Sequence, residues 1–351
     1  MRVLPIKTDA GPTPDVCARL DMTKRSLALA SAMTLASASR VAIVTGASRG
    51  LGKGIATVLA KDEGFTVYAT ARSTDALDRL ASEIKESGGT GMVIPSVLDQ
   101  MNDNAVKAFV DKVEAEQGKV DVLVNSAYAG LEACKPWFGK PFWERPIGVY
   151  DASLNIGTRS AYVMSAYVSP MMVKAGSGLM VQISSFGGQG YLFDVGYGVG
   201  KAALDRLSLD MASELKAHGV RAMTLWPGGA RTDMTNFPDG ETPTYVGRAV
   251  AALAKAPAED LDRFNGKVVQ SSELATKYGF VDGDGKMPEG AFSGTKWETG
   301  MRATLGKPLF QYATYEQNSE MPDWSATNND VVAAMIPGYP PFADSPAKDE
   351  V

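Results

Sequence analysis

Histidine is almost missing from this chain, with His218 the sole example among 351 residues, and cysteine is limited to Cys17 and Cys134. Two distant cysteines with no histidine partners exclude a disulfide framework and leave no metal site of Cys and His ligands to expect. His218 stands in "LKAHGV" at the end of an expected helix, where a capping or surface role fits better than that of a general base. Any catalysis must therefore use other groups. Neither sign of charge dominates: 35 basic residues face 40 acidic ones, for a net charge of −5, which gives nucleic acid no electrostatic footprint. Long apolar runs are also lacking. The nearest approach, "SLALASAMTLASAS", has 14 residues rich in Ser, Thr and Ala, against the roughly 20 apolar residues that a membrane-spanning helix needs. With 45% hydrophobic and 21% charged residues, the chain has the composition of an ordinary soluble globular protein, and its expected partner is a small molecule.

Residues 1–39 form an N-terminal extension. From Met22, "MTKRSLALASAMTLASASR" has a basic start, a small-residue apolar stretch and an Ala-Ser-Ala ending, the outline of a targeting segment. The alternative is a plain leader running into the domain. Localisation stays open between the cytoplasm, the endoplasmic reticulum and another organelle.

From Arg40 the pattern becomes periodic. Short apolar runs such as "RVAIVTG", "FTVYATAR", "GMVIPSVLD", "VDVLVNSA", "GLMVQIS" and "VRAMTLWPG" alternate with helical segments, among them one helix around "SLNIGTRSAYVMSAYVSPMMVKAG". Such alternation predicts an α/β protein with a Rossmann-type doubly wound parallel sheet, a three-layer αβα sandwich. The last strand is expected in "GKVVQSS". No repeat or linker divides the region, so a single domain over 40–280 is expected, with a Gly- and Pro-rich C-terminal extension over 281–351.

The first expected strand runs into "TGASRGLG", Thr45 to Gly52. Glycines at 46, 50 and 52 permit a tight turn, approach to a phosphate and close packing of the next helix, whose N-terminus then faces the anion. Isolated glycine clusters are often only turns, but this one sits between strand and helix and so points to a dinucleotide. At the end of the second strand an acidic residue would bind the ribose 2′-hydroxyl of NAD. Here stands "ATAR", and Arg72, with Arg49 in the glycine loop, fits a 2′-phosphate instead. NADPH is expected over NADH. The competing possibility is that Arg72 merely pairs with Asp75 or Asp78 in solvent.

Within "YGVGKAALDRL", Tyr197 and Lys201 fall four residues apart on one helical face. A phenol normally titrates near pH 10, and a neighbouring ammonium lowers that value toward useful acid-base chemistry. A hydroxyl of Ser184 or Ser185, just upstream, would orient a carbonyl oxygen against the tyrosine.

In "TGASRGLG", "VNSAYAG", "SLNIG", "ISS", "YGVGK" and "WPGGART", the chain from Arg40 to Ser271 resembles the short-chain dehydrogenases/reductases. The resemblance implies Tyr197 as proton donor, Lys201 as the residue that lowers its pKa and holds the nicotinamide ribose, and Asn155 as anchor of a relay water. Ser184 has the family's thirteen-residue spacing to the tyrosine, whereas Ser185 aligns with the second serine of the usual pair and is slightly preferred. Asn125 would support the central strand beside the cofactor, with Ser126 replacing the family's second Asn. Asp99 would contact adenine and Thr232 the carboxamide. Thr45, Gly46, Ser48, Arg49, Gly50, Leu51, Gly52, Arg72, Ala127, Pro227 and Gly228 complete the implied cofactor site.

The function that follows is NADPH-dependent carbonyl reduction, reversible as alcohol oxidation, on a small-molecule ketone or aldehyde, with steroid, lipid-like or xenobiotic carbonyls in view. "DMTNFPDGETPTY" is the expected lid, and Trp137, Phe142, Trp143, Tyr191 and Phe193 are candidate pocket aromatics. A homo-oligomer is expected by analogy with the family. Two rivals are an extended sugar-nucleotide member of the superfamily, which the glycine spacing disfavours, and a cofactor-binding scaffold without catalysis.

Overall fold

The computed structural model describes residues 39–189, 192–237 and 240–288. Its first half alternates β1 (Val41–Thr45), α1 (Gly50–Lys61), β2 (Thr66–Ala71), α2 (Thr74–Glu86), β3 (Met92–Val97), α3 (Asp103–Gln117) and β4 (Val122–Asn125). The short helices α4 (Gly130–Cys134) and α5 (Ile147–Asp151) follow, then α6 (Ser160–Ala175), β5 (Gly178–Ile183), α7 (Val195–Leu215) and β6 (Val220–Trp226). Helices α8 (Pro243–Lys255) and α9 (Ala258–Phe264), strand β7 (Val268–Gln270) and helix α10 (Ser271–Tyr278) end the series. All seven strands are parallel, in the order β3-β2-β1-β4-β5-β6-β7. The order reverses between β1 and β4, and that reversal opens a crevice at the carboxyl ends of the strands. The architecture is the Rossmann-type three-layer sandwich expected from the alternation of apolar runs.

Burial on both faces explains why the strands are continuous apolar runs. In β1, Ala42 and Val44 pack with residues of α1, α2 and α8, whereas Val41 and Ile43 pack with residues of α3 and α6. Strand periodicity of two sends alternate side chains into opposite layers. Helix α2 shows the matching helical logic: Leu77, Leu80 and Ile84 are buried, and the Ser73 side chain caps its N-terminus by accepting from Ala76 N. Such a cap contributes about 1 kcal/mol.

Three boundaries differ from expectation. The single helix foreseen around residues 153–176 starts as a wider π-helical stretch, Ala152–Arg159, that joins α5 to α6, and Ser160 Oγ donates back to the Ile156 carbonyl. There Gly157 lets the Tyr128 ring approach so closely that a Cβ would lie 3.0 Å from it. Strand β7 is shorter than "GKVVQSS", because Ser271 and Ser272 already belong to α10. The packed body also continues past residue 280. Buried Asp282 accepts from Thr242 N at 2.9 Å and from the Thr242 hydroxyl, while Arg248 Nη1 donates to the carbonyls of Val281 and Asp282. Most of the two expected extensions, residues 1–38 and 289–351, lies outside the described residues.

Candidate active site

The crevice above β1 and β4 is a cleft of about 640 Å³. Its glycine-rich wall is fixed by backbone proximity. Gly46 has φ +68°, and a Cβ there would lie 2.7 Å from Ala127 Cα; one on Gly52 would lie 2.3 Å from the Gly46 carbonyl oxygen. Only glycine lets these segments meet. Helix α1 starts with no side-chain cap and no acidic residue in its first turn, so its end favours an anion. Gly50 N in fact donates to the Asp233 carboxylate at 3.3 Å, which shows this amide bonded to an anionic oxygen. A dinucleotide phosphate fits the same donor set.

Gly46, Ser48, Arg49, Gly50, Leu51 and Gly52 line the cleft on this wall. Thr45 does not. Its hydroxyl accepts from Ser126 N and Ala127 N at 3.0 and 3.1 Å, tying the tips of β1 and β4 together. The Arg49 guanidinium pairs with Glu132 on α4, with Nη2 to Oε2 of 2.5 Å. The other end of the cleft is lined by Arg72, Ser73, Arg79, Asp99 and Gln100. No ion pair joins Arg72 to Asp75 or Asp78 among the described residues. Arg79 belongs to no motif; its place seven residues after Arg72, on the exposed face of an amphipathic helix, is the signal that could have found it.

Tyr197 and Lys201 lie on α7, 9% and 7% exposed, and both line the cleft. The Asp194 side chain caps α7 by accepting from Tyr197 N at 2.9 Å, which fixes where the helix begins and so where the phenol points. Phe193 and Tyr128 meet the Tyr197 ring edge to face, with centroids 4.8 and 5.7 Å away. Phe193 adopts φ +62° to reach this position, a conformation costly for a bulky residue.

The two serines separate cleanly. Ser184 Oγ donates to the Lys201 carbonyl at 3.1 Å and is buried, so it braces the helix. Ser185 accepts from Gly187 N at 3.2 Å and its hydroxyl is the hydrogen-bonding neighbour that lowers the Tyr197 pKa. Burial outweighs that effect and holds Tyr197 above the ordinary phenol value, with Asp194, Cys134 and Asp205 adding to the rise. This differs from the expected tuning by lysine. Lys201 Nζ instead donates to the Ile183 carbonyl at 3.0 Å and sits 4.8 Å from the Tyr128 centroid and 5.6 Å from that of Tyr197. Burial pulls its own pKa down to about 8, against the opposing pull of Asp205.

Of the remaining expected positions, Ala127, Pro227, Gly228 and Thr232 line the cleft. Asn125 does not, because its amide is turned into the core, donating to Ser165 Oγ at 3.0 Å and toward the Ala161 carbonyl. Asn155 lies in the π-helical stretch, where its carbonyl accepts from Ser160 N; the neighbouring Ile156 is the residue that faces the cleft. Leu131, Phe186, Leu192, Phe193, Met234 and Phe237 give the space beside Tyr197 an apolar wall. Trp137 packs behind that wall, whereas Phe142 and Trp143 point to solvent at 63% and 72% exposure. Tyr191 lies outside the described residues, as do Pro238 and Asp239 of the expected lid. Sequence reasoning also missed Glu241. It is fully buried, accepts from Ser271 Oγ at 2.6 Å and from the Gly228 backbone, and burial pushes its pKa up to about 8.

Among the described residues, no group of three or more His, Cys, Asp or Glu could hold a metal, and no helix is long and apolar enough to cross a membrane. The family model described as short chain dehydrogenase matches residues 40–240. Dehydrogenase/reductase SDR family member 1 of Mus musculus is 42% identical over 275 residues, covering 72% of this chain and 86% of the relative. A metagenomic short-chain oxidoreductase solved in complex with NADP is similar at 32% identity and TM-score 0.55, over 64% of this chain and 94% of its own. A 7α-hydroxysteroid dehydrogenase solved with NADH and 7-oxo glycochenodeoxycholic acid is similar at 25% identity and TM-score 0.57, over 71% and 94% respectively.

Proposed function

The chain belongs to the short-chain dehydrogenase family, an oxidoreductase of CH–OH and carbonyl groups, and on that premise we propose that it is an NADPH-dependent carbonyl reductase with Tyr197 as proton donor. The observation that carries this reading is the convergence of Tyr197, Ser185 and Lys201 on an apolar space that continues into the glycine-lined cleft. The bound nicotinamide would supply the hydride. Gly46, Gly50 and Gly52 with the α1 N-terminus would hold its phosphates, and Arg72 and Arg79 make the 2′-phosphate form the preferred one. Ser185 would donate to the substrate oxygen while Tyr197 delivers its proton to the same atom. A phenol held protonated by burial is suited to act as the acid. In the oxidation direction Lys201 would stabilise the phenolate, once its ammonium is turned from the Ile183 carbonyl.

The wall of Leu131, Phe186, Leu192, Phe193, Met234 and Phe237 favours a bulky apolar ketone or aldehyde, with steroid-like and xenobiotic carbonyls the first to try. The test is NADPH oxidation by the purified protein with a panel of such carbonyls, beside nucleotide-fluorescence titration with NADPH and NADH. Turnover that vanishes in Tyr197→Phe, with tighter binding of NADPH than NADH, supports the reading. Tight binding with no turnover of any carbonyl favours a non-catalytic scaffold.

A further inference from the structure

One buried charge beside the site has no part in the mechanism above. Asp205 follows Lys201 by four residues on α7, so the two side chains share a helical face. Its Oδ1 accepts from Trp226 Nε1 at 3.0 Å, at the end of β6 and directly before Pro227 and Gly228 of the cleft. The Ser184 hydroxyl, which bonds the Lys201 carbonyl, also lies against this carboxylate. Ile183, one residue earlier, receives the Lys201 ammonium. Polar contacts thus run from the Lys201 main-chain carbonyl through Ser184 and Asp205 to Trp226, while the Lys201 ammonium, on the same buried helical face as Asp205, is held by the Ile183 carbonyl. Asp205 Oδ2 is buried with no full hydrogen bond among the described residues. A carboxylate so desolvated is costly unless a positive charge compensates it.

We propose that Asp205 is a positioning residue of this site: its carboxylate supplies the counter-charge for the Lys201 ammonium and ties the strand ends that carry Ser185 and Pro227 to the tyrosine helix. The electrostatics agree with the geometry. Asp205 raises the pKa of Lys201 and Lys201 lowers that of Asp205, each against the larger effect of burial, which leaves Asp205 at about 7. Around Lys201 the other titratable neighbours are the phenols Tyr128 and Tyr197. Beyond Tyr197 lie Cys134 and Asp194, the latter 3.8 Å from Arg145. Asp205 is therefore the carboxylate that acts on Lys201.

The role in catalysis rests on the reductase reading, but the charge coupling can be measured without turnover. Acetic anhydride labels only the unprotonated amine, so labelling of Lys201 against pH, read by peptide mass spectrometry, gives the midpoint of its titration. In Asp205→Asn that midpoint should fall by about one pH unit or more, as expected when an opposite charge is removed from a desolvated amine. In the reductase assay the basic limb of the kcat/KM profile should move the same way, with NADPH affinity nearly unchanged. Trp226→Phe keeps the carboxylate but removes its donor, so it should shift the midpoint in the same direction by a smaller amount; it decides the matter if Asp205→Asn does not fold. An unshifted midpoint in a folded variant overturns the proposal. Absence of carbonyl turnover in the unmodified protein overturns the reductase reading instead, and leaves the labelling result to judge the coupling.

Discussion

At the glycine-rich end of the cleft the main chain forms the wall, whereas at the Tyr197 end side chains from several elements form it. Gly46, Gly50 and Gly52 contribute the absence of side chains, and the polar groups on offer are amides at the start of one helix. Around Tyr197, the phenol and ammonium come from α7, Ser185 from the turn after β5, and the apolar wall from the segments after β4, β5 and β6. The first construction is local, eight consecutive residues from Thr45 to Gly52. The second exists only once the sheet has assembled, because its parts are spread along the chain from Leu131 to Phe237. The difference predicts how each end fails. Changes at the glycine end should weaken cofactor binding and the fold together, and changes at the tyrosine end should remove catalysis while cofactor binding survives.

The sharpest break of this comparison is Tyr197→Phe. Loss of the proton donor should lower kcat by about 10²- to 10⁴-fold while NADPH affinity, read by fluorescence, stays near that of the unmodified protein. Next come the paired serines. Ser185→Ala should cost about 10²-fold in kcat as an oxygen-orienting donor disappears, whereas Ser184→Ala should act on stability, by about 1 kcal/mol for one buried hydrogen bond, measured by thermal melting beside the kinetics. If Ser184→Ala gave the larger kinetic loss, the assignment of the two hydroxyls would be reversed. At the glycine end, Gly46→Ala places a Cβ against Ala127 in a left-handed conformation, and should cost about 1–3 kcal/mol of stability together with NADPH affinity.

A further effect is read against pH. Glu241 supports the Gly228 backbone, and its folded pKa of about 8 exceeds the ordinary carboxylate value because of burial. The folded state therefore binds the proton that the unfolded state has released, and stability falls as pH rises between about 4.5 and about 8. Glu241→Gln should flatten the pH dependence of the melting temperature across that window and raise stability at its upper end. A variant that melts in parallel with the unmodified protein at every pH would show that Glu241 does not titrate there.

Legibility followed the same division. The strand-glycine-helix order of "VAIVTGASRGLG" was readable because strand periodicity and the glycine requirement both act over a few residues. Tyr197 and Lys201 were readable for the same reason, four residues apart on one helix. Arg79, Glu132 and Glu241 were not, since nothing local marks a residue whose partner arrives from another element. For a related cause, spacing places Lys201 and Tyr197 on one face, but only packing reveals the Ile183 carbonyl that takes the ammonium.

Backbone sterics and periodicity within short segments are enough to set the layered α/β architecture, the glycine wall and the placing of Tyr197 and Lys201 on one helical face. The tertiary structure decided which serine faces the phenol, that Arg49 spans the cleft to Glu132, and that Asn125 and Thr45 brace strand tips rather than line the site. Those outcomes depend on burial and on hydrogen bonds between residues far apart in the chain, and such partners are chosen only when the two layers close on the sheet.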